Sequence, residues 1–139
     1  MGRRGRIIRY IWAACLVLAG LNHARILVQH GLFWDYGGVA WPSAVYWSSL
    51  TIIDPLVALL LVIRPVIGVP MTAAVITTNV IHNLAITAFY RPDGAFLDHL
   101  VSSPQIMSQI GFLVFVILTI RMALGGIGKD ILAPASPMD

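Results

Sequence analysis

Asp54 stands inside an apolar run, Tyr46 to Ile63, and a second run, Pro70 to Phe89, carries Asn79, His82 and Asn83. A carboxylate and an imidazole brought together can exchange a proton with a bound molecule, so Asp54 with His82 is a candidate acid–base pair. Amide and hydroxyl side chains supply donors and acceptors. Asn79 and Asn83, with Asn22, Thr51 and Gln109 elsewhere in the chain, are therefore candidates to line a polar pocket. His23 is a second imidazole in apolar surroundings. Two such histidines can hold a b-type haem axially, with Arg25 or Arg91 meeting the propionates. Three converging groups, His23, His82 and Asp54, fall short of a structural zinc set. There is no nucleophile motif and no H-E-x-x-H, and Gly128-Lys129 lacks the glycine spacing and the Ser/Thr of a phosphate loop. An enzyme is thus the weaker reading.

The elements that must position these groups are membrane helices. The chain of 139 residues is 58% hydrophobic and 11% charged, with mean hydropathy +0.85, against about 25% charged in soluble domains. A spanning helix needs roughly 20 apolar residues. Four segments meet this, at about 7–28, 43–63, 66–89 and 105–122. They predict an all-α membrane protein, four transmembrane helices in an antiparallel up-down bundle, as one domain over residues 1–124. Residues 125–139, rich in Gly, Ala and Pro, are expected to form a flexible tail. The first segment resembles a signal peptide in its basic start, but Asn22-His23-Ala24 suits cleavage poorly and the apolar run resumes at Ile26.

Charge gives the orientation. With the N-terminus inside, all the Lys and Arg except Arg25 and Arg91 lie on the inner side, so both termini are expected in the cytoplasm. The arginines from Arg3 to Arg9 then read as an orientation signal, and a nucleic-acid partner is not expected. The expected location is a cell membrane, of the bacterial inner-membrane type, with the lipid bilayer as the first partner. Cys15 is the lone cysteine and sits in an apolar run, where a structural role is expected.

Between the spans the sequence predicts particular joints. Phe33, Trp34, Tyr36 and Trp41 in the first outer loop read as headgroup-level anchors. Pro55 kinks the second helix. The stretch Arg64-Pro65…Gly68…Pro70 predicts a tight inner turn, and Arg91-Pro92-Asp93-Gly94 a type I turn. A short interfacial helix is expected over 95–101, with Phe96, Leu97 and Leu100 toward lipid, then a Ser103 cap with Pro104 in the first turn of the last helix.

Helical spacing groups the polar residues. Thr72, Asn79, His82 and Asn83 share one stripe, Trp47, Thr51 and Asp54 another, Gln105, Ser108 and Gln109 a third, and His23 lies one turn beyond Gly20. At about 1.5 Å per residue, His23, His82 and Gln109 fall roughly 5–8 Å outward of the midplane, with Asp54 near it. An Asp at that depth costs about 2.5–3.5 kcal/mol on the insertion scale. Singly, such amides and histidines read as glue between helices, at about 0.6 kcal/mol per bond. As a set with a midplane Asp they predict a pocket, floored by Asp54 and opening outward, in which His82 or His23 is the expected partner of Asp54, with Asp54 and His82 linked directly or through water.

The leading functional reading is binding, or help in transport, of a small polar or amphipathic molecule. Four helices without inverted halves are few for a transporter, so a homo-oligomer or larger membrane complex would then be needed. The alternatives are the haem carrier with axial His23 and His82, an acid–base enzyme, and a structural subunit of a membrane complex. In layout, an acid in the second helix (Asp54) and a histidine in the third (His82) resemble the EXPERA group of sterol isomerases and the sigma-2 receptor, although the prolines and acids around that pattern are absent. That likeness implies a membrane enzyme or a protein binding a sterol-like or cationic amphiphilic ligand. DoxX-like proteins are similar in helix number.

Overall fold

The computed structural model of the chain describes residues 2–90, 95–125 and 127. Its elements are α1 (Gly2–His30), α2 (Trp41–Ile63), α3 (Pro65–Tyr90), α4 (Phe96–Ser102) and α5 (Pro104–Leu124), with no strand among the described residues. The four long helices have 29, 23, 26 and 21 residues and are apolar enough to cross a membrane. The expected type I turn at residues 91–94 and the tail beyond residue 127 lie outside the described residues.

Each long helix extends past its apolar run, and α1 does so for a physical reason. Arg9 is buried, 6% exposed, and its Nη1 donates to the Ala123 carbonyl at 2.8 Å. It thereby satisfies one of the carbonyls left free in the last turn of α5. Gly5 permits this approach, since a Cβ there would lie 2.5 Å from the carbonyl oxygens of Met122 and Gly125. Arg9, one of the arginines read as an orientation signal, is buried where α1 meets the end of α5. Trp12, fully buried, donates from Nε1 to Thr119 Oγ1 at 3.2 Å.

The turn between α2 and α3 is tighter than the spacing of its prolines predicts. Arg64 alone separates the helices, and Pro70 lies inside α3. Gly68 rests on the backbone of Leu60 and Leu61, where a Cβ would stand 2.4 Å from the Leu61 nitrogen. Thr72 donates to the Gly68 carbonyl at 2.8 Å. The short helix α4 falls where the sequence placed it. Leu97 is exposed, whereas Phe96 and Leu100 are half-buried. Ser103 caps α5, its hydroxyl accepting from the Ile106 amide at 3.4 Å, with Pro104 in the first turn.

Gly31, at φ +92°, ends α1, and the following loop turns through Tyr36, Gly37 and Gly38, all at positive φ. Asp35 Oδ1 accepts from the Gly37 amide at 3.0 Å. Phe33 and Trp41 project outward as anchors would. Trp34 and Tyr36 do not: His30 stacks on Trp34 (3.9 Å) and Trp34 on Tyr36 (4.7 Å), and Tyr36 meets Trp47 at a tilt (5.0 Å).

α1 packs on α2 and α5, α3 packs on the same two, and α1 and α3 hardly touch. The apolar core joins Trp12, Leu16, Val57, Leu61, Val69, Ile76 and Val116. Large side chains such as Ile52, Leu118 and Val28 stay exposed on the outward faces of helices apolar enough to cross a membrane.

Candidate functional site

Because α1 and α3 stand apart, a cavity of about 1100 Å³ remains between them. Its walls come from α1 between Cys15 and Ile26, Trp47 and Asp54 of α2, α3 from Val75 onward, the first turns of α5, His99 of α4 and the loop residues Tyr36, Gly37 and Val39.

Asn83 organises the polar wall. Its Oδ1 accepts from the Trp47 indole at 2.8 Å, and its Nδ2 donates to Asn79 Oδ1 at 3.3 Å and to Gln109 Oε1. One amide thus ties α2, α3 and α5 together, using both N–H donors and one of the two lone pairs of its oxygen. Asn79 and Asn83 are four residues apart on α3, which puts them on one face, one turn above the other.

Asp54 is 2% exposed and borders the cavity. Among the described residues it makes no hydrogen bond or ion pair. Gly20 lets α1 lie against this point of α2: a Cβ there would be 2.8 Å from Pro55 Cδ and 3.5 Å from Asp54 Cβ. His23, also buried, and Asn22 line the α1 side. His23 Nδ1 has no partner among the described residues.

Of the residues expected to converge, Asp54, Asn79, Asn83, His23, Asn22 and Gln109 border this one cavity. His82 and Thr51 do not. The His82 ring packs against Tyr46 (4.5 Å) and Trp47 (5.6 Å), with Nε2 buried and unpartnered among the described residues. Asp54 and His82, expected to be linked directly or through water, make no direct hydrogen bond to each other. Residues 79 and 83 fix the cavity face of α3, and residue 82, about 100° from 83 around the helix, is carried toward α2. Thr51 lies in a smaller hollow of about 450 Å³ with Leu27, Phe33 and Trp34, its hydroxyl unpartnered. Of the two histidines of the haem reading, His23 borders the cavity and His82 does not. No group of three or more His, Cys, Asp or Glu side chains converges as a metal site among the described residues.

Trp47 was placed on the stripe of Asp54 but not among the binding residues, and Tyr36 was read only as a headgroup-level anchor. Trp47 lies seven residues before Asp54, on the same helix face, and that spacing was the available signal. Tyr36 reaches the cavity through the positive-φ loop, which no periodicity encodes. His99 of α4 also borders the cavity.

The fold and cavity define an all-helical protein with four helices able to cross a membrane. Comparison with family models, curated proteins and solved structures finds no match for this chain.

Proposed function

We propose that the chain is an integral membrane protein folded as an antiparallel four-helix bundle, with both termini cytoplasmic and the cavity in its outer half. In this reading the cavity binds, or helps to move, a small polar or amphipathic molecule. Three contacts support the antiparallel order. Arg9 early in α1 meets Ala123 late in α5, Gly68 early in α3 meets Leu61 late in α2, and Trp47 early in α2 meets Asn83 late in α3. The arginine distribution supports the orientation.

The observation that carries the binding reading is Asp54: an acid 2% exposed, unpartnered among the described residues, on the wall of a large cavity whose other polar groups are mostly amides and hydroxyls. Groups of this kind inside a membrane protein are costly and mark functional sites. Protein purified from its native membrane should carry a small molecule detectable by mass spectrometry, and Asp54→Leu should lose it while still inserting. Equal recovery from the variant refutes the reading. The EXPERA likeness lends it little, because it rests on Asp54 and His82, which do not meet.

A further inference from the structure

The cavity has a side as well as an end. Leu18 and Asn22 of α1 and Gln105 and Ser108 of α5 border it, yet all four are exposed, and Leu18 keeps 66% of its surface. Residues that line a hollow and also face outward form its rim. Leu18 lies near the middle of α1, so the rim descends to mid-depth of a spanning helix.

The packing explains the gap. The side-chain hydrogen bonds between α1 and α5, Arg9 to Ala123 and Trp12 to Thr119, lie in the half remote from the cavity, as does the close approach at Gly5. In the cavity half the other seams are fastened: α1 to α2 at Gly20 and Pro55, α2 to α3 at Trp47 and Asn83, α3 to α5 at Asn83 and Gln109. The α1–α5 seam has no such tie there among the described residues. In a bilayer, a slot at that depth opens on hydrocarbon, so what passes through it is dissolved in the membrane.

Inside, Asp54 is the one Asp, Glu, Lys or Arg on the cavity wall among the described residues. Burying a carboxylate without a donor is expensive, so a suitable occupant brings the donor. Resting on the pocket reading above, we propose that the ligand is a bilayer-dissolved amphiphile that slides in sideways between α1 and α5. It sets a hydrogen-bond-donating head, a hydroxyl or an amine, against Asp54, and its apolar tail lies along Leu18 and Phe112.

The test uses the full chain in phosphatidylcholine vesicles with two photoreactive diazirine alcohols, one long-chain and one short and water-soluble. The long-chain alcohol should label Leu18, Ser108 and Phe112 well above the lipid-facing Ile52 and Leu118. Asp54→Leu should lower this labelling about tenfold, the worth of one hydrogen bond to a charged group. Ser108→Trp, at the exposed rim, should slow it by about tenfold, within the range that access changes produce, and Ala40→Trp, exposed at the loop end beside Tyr90 but outside the cavity lining, should leave it unchanged. If Ala40→Trp slows labelling and Ser108→Trp does not, access is from the aqueous end and lateral loading is refuted. If the short alcohol alone labels Trp47 and Asn79, the pocket stands and the amphiphile falls. If neither alcohol labels the cavity, the pocket reading falls with it.

Discussion

The Trp47 indole donates to the side-chain oxygen of Asn83 at 2.8 Å, and through this bond α2 is held to the amide that also grips Asn79 and Gln109. Side-chain hydrogen bonds between membrane helices average about 0.6 kcal/mol, and a donor left unpaired after its partner is removed costs about 1–3 kcal/mol. Asn83→Leu breaks all three bonds at once and strands the indole. We expect it to destabilise the folded protein by about 1–3 kcal/mol, read by thermal unfolding in detergent. Gln109→Leu, which removes one bond, should cost less than half as much.

Gly20 makes a sharper prediction because its sign opposes helix propensity. Gly→Ala in a helix interior ordinarily gains about 1 kcal/mol. At Gly20 the new methyl would sit 2.8 Å from Pro55 Cδ, part of a ring that cannot rotate away. Gly20→Ala should therefore be destabilising by about 1–2 kcal/mol. Gly111→Ala, where a Cβ meets nothing within 4 Å, should be neutral or stabilising. Equal melting temperatures for the two variants would mean that α1 does not lie this close to Pro55.

Much of the fold was legible in the chain because spans depend on length and apolarity, both of which are local. The four long helices, the short helix before Ser103 and the Ser103 cap all follow from such signals. The site was legible only in part. Asn79 and Asn83 shared a stripe that could be counted, and the cavity uses it. His82 fitted the same stripe within the tolerance of a helical wheel, yet it turns to Tyr46. Which edge of a polar stripe faces a cavity depends on the rotation of the helix against its neighbours, and composition does not encode that. The burial of Arg9 was not legible for a related reason, since a buried cation and a solvated one look alike until the end of α5 is set beside it.

Arg9 gives the third prediction. It is buried, and its guanidinium caps the Ala123 carbonyl at 2.8 Å. Hydrogen bonds from charged donors contribute about 1.5–3 kcal/mol. Arg9→Met keeps the apolar stem and loses the cap, so it should destabilise the fold within that range and speed amide exchange in the last turn of α5. Arg6→Met, at an exposed position, should do neither. Comparable losses from both would identify net positive charge, and not the cap, as what the N-terminal arginines supply.

His82 separates the cavity from the polar residues beside it. Its Nε2 is buried without a partner among the described residues, and its ring packs against Tyr46 and Trp47. His82→Phe keeps the aromatic contacts and removes the unsatisfied nitrogen, so stability should hold or rise by up to about 1 kcal/mol. Ligand recovered with the purified protein should stay within about twofold of the parent chain, because one unchanged hydrogen-bond set leaves affinity unchanged. Asp54→Leu, on the cavity wall, should lose about tenfold or more in the same assay. Thr51→Val, in the separate hollow beside Phe33 and Trp34, should behave like His82→Phe. If His82→Phe abolishes recovery as thoroughly as Asp54→Leu does, the two side chains act on one ligand, and α3 must turn to bring His82 round to the cavity before binding.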